Sequence, residues 1–359
     1  MSKDRSRLPL IDALKAVASQ FIVLHHLAFY GPMSDFTHQL WPALVTWLSQ
    51  DARMAVQVFL VISGFLSARA LAPQGVLRGR HPLRLVLSRY IKISLPYLAA
   101  LLVAMVCTEV ARFWMTHDSL PGRPDLWQFV THALLVHTLL DVDSLSAGVW
   151  YVAIDFQLYA LLLGLLWLLG RAGREPFARP MVLLVVVASL FHFNLDADWD
   201  SWALYFFGAY GLGVLAWWGS DPADGGRGLR LWSLVVLLCL LALAMEWRTR
   251  IALALLVALT LVWSRRSGWL HTWPRSAALA YLGRISYSVF LLNFPVALVV
   301  NAWFTRHAPQ DPVVQTLGVL LAWLACNLAG AAFHHAVEQP LGRLGRPQRA
   351  GASTGASAA

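Results

Sequence analysis

Long apolar runs, interrupted by short polar segments, follow one another along almost the whole chain. They predict ten membrane-crossing helices, at residues 10–30, 50–70, 90–110, 148–170, 180–194, 202–219, 229–246, 250–264, 280–303 and 312–336. A run of about 20 apolar residues spans the hydrocarbon core of a bilayer, and the sequence lacks the ~10-residue alternation of an outer-membrane barrel. The pattern therefore predicts an all-α, polytopic transmembrane helical bundle of about ten helices. Segment 126–140 is apolar but too short to cross, which favours an interfacial or re-entrant helix.

The distribution of basic residues indicates which way these helices run. Of the 28 lysines and arginines, 21 fall on one predicted side of the bundle, five fall on the other, and two lie within helices. Because Lys and Arg collect in cytoplasmic loops, both termini are predicted to be cytoplasmic. This bias also accounts for the net charge of +9 without a nucleic-acid partner. Only 13% of the residues are charged, against roughly 25% in soluble proteins.

The domain organisation is predicted to be simple. Residues 1–345 form a single transmembrane domain, with the lipid bilayer as its surroundings. Residues 346–359 are rich in Ala, Gly and Ser and are predicted to be a disordered cytoplasmic tail.

Polar residues inside the first predicted helix lie along one face. Lys15 and His26 are 11 residues apart, close to three full turns, so they share a face and lie about 16 Å apart along the axis. Ser19 falls near the same stripe, whereas His25 points about 100° away from His26. Ionisable groups at membrane depth cost a few kcal/mol, so this stripe favours a polar site inside the bundle. Snorkelling of Lys15 and a satisfied helix-end histidine are the alternatives.

A second polar group lies in the stretch WYVAIDFQLYALLL, residues 150–163. Asp155 and Tyr159 are four residues apart and face the same way, with Gln157 between them. This helix is predicted to start at the outer surface, which places Asp155 about 7–10 Å below it, at a depth similar to that of His26. We therefore predict that a His26–Asp155 pair is geometrically possible, in which the carboxylate fixes the tautomer of the imidazole. A purely structural hydrogen bond between helices is the alternative.

Further polar positions lie near helix ends or beside small residues. Arg89 and Lys92 are predicted at the cytoplasmic mouth of the third helix, where cations suit the phosphates of a ligand such as coenzyme A. Ordinary positive-inside anchoring is the alternative. Ser63 precedes Gly64 in FLVISGFL, which favours close helix packing or a ligand passage. Glu338 lies at the inner end of the last helix, where a salt-bridge role is expected. The sequence has no Walker loop, GxSxG, HExxH or metal-ligand cluster, so no metal site is predicted.

Taken together, these stretches resemble the acyltransferase-3 family of bacterial integral membrane O-acyltransferases, in the family's order and over nearly the whole chain. The stretches that carry the resemblance are IDALKAVASQFIVLHH, VFLVISGFL, RYIK, WYVAIDFQLYAL, LGRISYSVFLLNFP and VEQPLGR. Lys15 and His26 match the basic residue and the histidine of the family's first helix. Three positions depart from the family's pattern, with Lys92 in place of Arg, Asp155 in place of Glu and Asn293 in place of His.

The resemblance implies an enzyme of the bacterial inner membrane that moves an acyl group, expected to be acetyl, from cytoplasmic acyl-CoA to a hydroxyl of an envelope glycan or glycoside. Acetyl-CoA is then the donor substrate, with no permanently bound cofactor. His26 is expected to be a general base or transient acyl carrier, oriented by Asp155, with Lys15 lining the route. The expected donor-binding residues are Arg89, Lys92, Ser63 and Tyr159, and the expected acceptor-binding residues are Trp150, Gln157, Tyr287 and Asn293. A proton-coupled secondary transporter that uses the same polar residues and a non-catalytic assembly factor are the alternatives.

Overall fold

The computed structural model describes residues 7–79, 81–224 and 226–344. Its ten long helices are α1 (Pro9–Phe29), α2 (Val56–Leu71), α3 (Pro82–Trp114), α4 (Trp150–Arg171), α5 (Ala178–Phe191), α6 (Ala203–Gly219), α7 (Arg227–Met245), α8 (Thr249–Ser267), α9 (Ala277–His307) and α10 (Pro312–Phe333). Shorter α-helices lie at Met33–Leu40, Pro42–Gln50, Leu126–Ala133, Trp269–Thr272 and Gln339–Leu344. A 3₁₀ turn at Ala52–Ala55 leads into α2, and a π-helical turn at His334–Glu338 follows α10. No strand occurs within the described ranges, and the predicted all-α polytopic bundle is confirmed.

All ten predicted helices are present in the predicted order, although two of them are atypical membrane spans. Within the described ranges, eight helices are long and apolar enough to cross a membrane. The other two long helices are α6 and α8. α6 has 17 residues, of which 14 are buried, so the other helices enclose it. α8 carries Arg250 near its start and Arg265 and Arg266 near its end, so its charges lie at the two ends of its apolar stretch.

α3 begins well before its predicted start and runs for 33 residues. Pro82 occupies the first helical position, where its fixed φ and missing N–H are tolerated. Arg89 and Lys92 continue the helix because Arg and Lys are good helix formers. Arg89 consequently lies inside the helix, about 10 Å along the axis from its first residue, rather than at its mouth.

The tightest packing in the bundle occurs where α2 crosses α6. Gly64 faces the backbone of Tyr210, and Gly213 faces the backbone of Val61. A Cβ on either glycine would collide with a backbone carbonyl. Small residues therefore allow the two helices to approach closely, which confirms close helix packing at Gly64, whereas Ser63 lines a cavity.

Residues 115–149 form a re-entrant segment between α3 and α4. The Tyr90 hydroxyl donates a hydrogen bond to the carbonyl of Ala133 at 2.7 Å. Because Tyr90 precedes the end of α3 by 24 residues, the segment returns roughly 36 Å back along that helix. Part of its irregular backbone is held against α4, where Gln157 Nε2 donates to Leu135 O and Thr138 Oγ1. Non-helical backbone at membrane depth is tolerated only in such a setting. Of the two predicted possibilities for 126–140, the contacts select the re-entrant one.

The ten helices alternate in direction, so α1 begins and α10 ends on the same face of the bundle. We call this face, which carries most of the Lys and Arg residues, the inner face, in keeping with the charge-based prediction that it is cytoplasmic. The predicted tail at residues 346–359 lies outside the described residues.

Candidate active site

A cavity of about 540 Å³ lies between α1, α2, α3, α4 and α9 and reaches the turn after α10. Seven of the eleven predicted site residues line it, namely Lys15, Ser63, Arg89, Lys92, Asp155, Tyr159 and Tyr287. Exposed Ser88 and Lys92 lie at its inner mouth, and the rings of Phe59, Tyr151 and Phe290 lie at its far end. From Ala70 to Phe59 the cavity follows α2 for about 16 Å.

Asp155 joins three helices in the middle of this cavity. Arg89 Nη2 donates to Asp155 Oδ2 at 2.5 Å, and the Ser63 hydroxyl donates to Oδ1. The guanidinium carbon of Arg89 lies 5.3 Å from the centroid of the Tyr159 ring, within cation–π distance. Asp155 is only 6% exposed, and a buried carboxylate requires a charged partner. These four predicted residues therefore form one hydrogen-bonded, charge-paired cluster.

The cavity mouth adds a second acidic group, Glu338. Its Oε2 accepts a hydrogen bond from the Ser288 hydroxyl at 2.5 Å and pairs with His334 Nδ1 at 2.9 Å. Glu338 is thus hydrogen-bonded at the end of the last helix, and the salt-bridge role expected for it stays a prediction, while sequence reasoning missed that the residue also lines the site. The cavity is lined by three basic residues, Lys15, Arg89 and Lys92, and by two acidic residues, Asp155 and Glu338. Basic groups therefore outnumber acidic ones. The cavity is therefore suited to an anionic ligand.

His26 lies beyond the far end of the cavity and is held by Asn293 rather than by a carboxylate. The side-chain oxygen of Asn293 contacts His26 Nδ1. The amide nitrogen of Asn293 donates to the carbonyls of Val289 and Phe290, at 3.1 and 2.7 Å. Its oxygen must then accept from His26, which assigns the proton to Nδ1 and the lone pair to Nε2. This tautomer is the one in which Nε2 can accept a proton from a ligand.

The predicted His26–Asp155 pair is therefore wrong, because the two residues lie at different depths. Tyr151, at the start of α4, packs on Phe290 with ring centroids 5.4 Å apart. Phe290 precedes Asn301 by 11 residues, and Asn301 Oδ1 accepts a hydrogen bond from Met33 N, just past the outer end of α1. α4 thus begins about 16 Å below that end.

Asp155 follows Tyr151 by one further turn, whereas Asn293 lies nearly one turn above Phe290. The vertical offset between Asp155 and His26 is therefore about 10 Å. The re-entrant segment causes this offset, because it carries the chain to mid-depth before α4 starts.

The two histidines of α1 occupy different environments, as predicted from their 100° separation. His25 Nδ1 bonds to Leu48 O at 3.2 Å, in the short helix Pro42–Gln50. Ser19 does not contribute to the cavity, since its hydroxyl donates to Ala16 O within α1. Of the polar stripe predicted on α1, only Lys15 lines the cavity, near its inner mouth, and His26 lies beyond the far end of the cavity.

Helical geometry explains which residues of α4 reach the cavity. Tyr151, Asp155 and Tyr159 are four residues apart and line it together. Trp150 is turned aside and packs on Phe206, with ring centroids 5.3 Å apart. Gln157 is turned to the re-entrant segment. Neither lines the cavity, and the role of each in binding an acceptor stays a prediction. Tyr151 was missed, although its position four residues before Asp155 is the signal that identifies it.

On its outer side, His26 is covered by an apolar cluster. Its ring lies 5.6 Å from the Tyr30 centroid and 6.2 Å from that of Phe294. Phe294 belongs to a small core that also contains Ala111, Met115, Leu298 and Ala302. His26 is consequently enclosed between this cluster and the rings at the end of the cavity.

Comparison with known proteins identifies the chain at the level of a family. The family model of the acyltransferase domain matches residues 8–331, nearly the whole chain. No curated protein and no solved structure matches the chain.

Proposed function

Because the chain belongs to the acyltransferase-3 family and is a multi-pass membrane acyltransferase, we propose that it transfers an acyl group from acyl-CoA at the inner face to a hydroxyl of a glycan or glycoside. The resemblance implies that the acyl group is acetyl and that the enzyme lies in the bacterial inner membrane. The observation that carries the proposal is His26, whose Nδ1 is held by Asn293 so that Nε2 can act as a base. Membership of an enzyme family also decides against the proton-coupled transporter and the assembly factor.

The cavity supports the donor half of the proposal. Its mouth exposes Lys92, with Lys15 and Arg89 on its wall, and phosphate groups favour such cations. Arg89 is held on the cavity wall by its pair with Asp155, and Lys15 and Lys92 add further cationic groups to the lining that the donor phosphates would meet. Lys15 lies about 16 Å along α1 from His26. That separation favours a role for Lys15 at the phosphates rather than at the reacting carbonyl.

The chemistry then follows from the tautomer of His26. Nε2 removes the proton of the acceptor hydroxyl, and the oxygen attacks the thioester carbonyl carbon. The C–O bond forms, the C–S bond breaks, and the coenzyme A thiolate leaves. The imidazolium returns its proton to that thiolate, so the base is regenerated. Asn293 O accepts the Nδ1–H throughout and holds the ring in place, as the third member of a triad does.

Ester content of the cell envelope tests the proposal directly. Alkali-labile acetate is measured on envelope glycans from cells with the gene, without it, and with it restored. We expect the ester to disappear with the gene and to return with it. Membranes that contain the protein should also incorporate label from [¹⁴C-acetyl]-CoA into an alkali-labile product. Unchanged ester content, together with no protein-dependent incorporation of label, would contradict the proposal.

Asn293→Ala is expected to lower kcat by roughly 10- to 100-fold, by analogy with the loss of a hydrogen bond that orients a metal-ligating histidine. The KM for acyl-CoA should change little, because Asn293 lies away from the cavity mouth. Asn293→Asp keeps an acceptor oxygen for Nδ1–H and should restore most of the rate. Asn301→Ala is the matched control, since Asn301 is an equally buried asparagine of α9 that bonds to Met33 N instead. Equal losses in Asn293→Ala and Asn301→Ala would show that Asn293 has only a structural role.

A further inference from the structure

Three aromatic rings close the cavity at its far end. Phe290 of α9 lies 5.4 Å from Tyr151 and 6.3 Å from Phe59, measured between ring centroids. Tyr151 and Phe59 are 6.1 Å apart, so the three rings contact one another pairwise. Phe290 is 6% exposed and lines the cavity. We call these three residues the aromatic end wall.

Phe290 and His26 both lie beside Gly148. A Cβ placed on Gly148, in the re-entrant segment, would lie 3.3 Å from Cζ of Phe290 and 3.4 Å from Cε1 of His26. Gly148 thus lies against both rings, and its φ of +82° is a conformation that glycine adopts without strain. Phe290 is therefore a cavity-lining ring that shares a neighbouring glycine with the imidazole of His26, and the missing side chain of Gly148 leaves a narrow space beside both rings.

We propose that Phe290, with Gly148, sets the length of the acyl group that the enzyme accepts; this inference rests on the proposed function. A donor entering from the inner mouth must bring its thioester carbonyl to His26 Nε2. The acyl chain beyond that carbonyl then occupies the space beside Phe290 and Gly148. A methyl group needs only a small displacement of the buried Phe290 ring, whereas each further methylene meets three rings that already contact one another. The wall therefore selects short acyl groups, and acetyl above longer ones.

Donor competition among acyl-CoA thioesters tests this assignment. Purified enzyme in proteoliposomes is given acetyl-CoA, butanoyl-CoA and hexanoyl-CoA, and kcat/KM is measured for each with the same glycan acceptor. One methylene in an apolar pocket is worth about 10- to 200-fold in specificity. Phe290→Ala and the milder Phe290→Leu should raise the hexanoyl-to-acetyl ratio by at least about 10-fold. Gly148→Ala should act in the opposite direction, lowering transfer of longer groups most, because its methyl crowds Phe290. Since a side chain at φ of +82° also strains the backbone, the donors are compared within this variant at equal folded protein.

Phe206→Leu is the matched control, because Phe206 is an equally buried aromatic residue that packs on Trp150 away from the cavity. Its chain-length ratio should equal that of the wild type. An unchanged ratio in Phe290→Leu and Gly148→Ala, with transfer of acetyl still measurable, would overturn the inference and leave the proposed function standing. Absence of transfer from every donor by the wild-type enzyme would instead refute the proposed function itself.

Discussion

Replacing His26 with alanine is expected to lower acyl transfer by about 10²–10⁴-fold, the usual contribution of a positioned general base. The variant should still fold and insert, because the ring is packed among Tyr30, Phe294 and Asn293 without carrying an ion pair. Transfer from labelled acetyl-CoA in membranes with equal protein content is the measurement. The loss should appear in kcat, since His26 lies beyond the cavity in which the donor is proposed to bind.

His25→Ala is the control for this experiment. His25 neighbours His26 on the same helix and is similarly buried, but its Nδ1 bonds to Leu48 O on another face. Its replacement should change transfer by only a few fold. If His26→Ala transfers acyl groups as fast as His25→Ala, the base is another group and the proposed mechanism fails.

Breaking the Arg89–Asp155 pair is expected to have the largest effect on stability. Asp155→Asn leaves the guanidinium without its charge partner, and Arg89→Gln leaves a buried carboxylate alone. Removing one member of a buried pair typically costs about 3–5 kcal/mol, mostly because the remaining charge is uncompensated. Each single variant should therefore unfold at a lower temperature in detergent than the wild type. The double variant should be more stable than the sum of the two losses predicts, with a coupling of about 1–3 kcal/mol.

The second ion pair with a 2.5 Å contact, Arg179–Asp224, provides the comparison. It lies at the inner face away from the cavity. Its arginine is as exposed as Arg89, at 25%, but the Asp224 side chain is 20% exposed against 9% for Asp155, so water compensates a lone carboxylate more effectively there. Arg179→Gln, which leaves Asp224 alone, should accordingly cost less than Arg89→Gln, which leaves Asp155 alone, and should leave transfer unchanged. Additive losses at Arg89 and Asp155 would show that the two groups do not stabilise each other, and Asp155 would then need another role.

Much of the fold could be predicted because each helix is defined by its own residues. An apolar stretch of sufficient length is helical at membrane depth wherever its neighbours lie, since the backbone must satisfy its hydrogen bonds internally. α6 shows the limit of this rule. It is short for a membrane span, and only the surrounding helices explain why it is buried almost all round. α3 shows another limit, since its basic residues were taken to mark a helix end although they extend the helix.

The candidate site could be predicted as a set of residues but not as a set of partners. Lys15, Ser63, Arg89 and Asp155 line one cavity, because polar side chains on membrane helices turn towards the interior of the bundle. Asp155 was nevertheless assigned to His26 and is bonded to Arg89 and Ser63. Asn293 was expected to touch the acceptor and instead holds the histidine.

The sequence by itself determined the number and order of the helices, the basic face of the bundle and the residues that lie on each helical face. These depend on composition and on the 3.6-residue period, which are local properties. Only the tertiary structure decided how deep each helix begins. The re-entrant segment starts α4 at mid-depth, and that offset brings Asp155 to Arg89 and leaves His26 to Asn293. The path of a connecting segment depends on contacts far apart in the chain, such as that between Tyr90 and Ala133, and no local pattern specifies it.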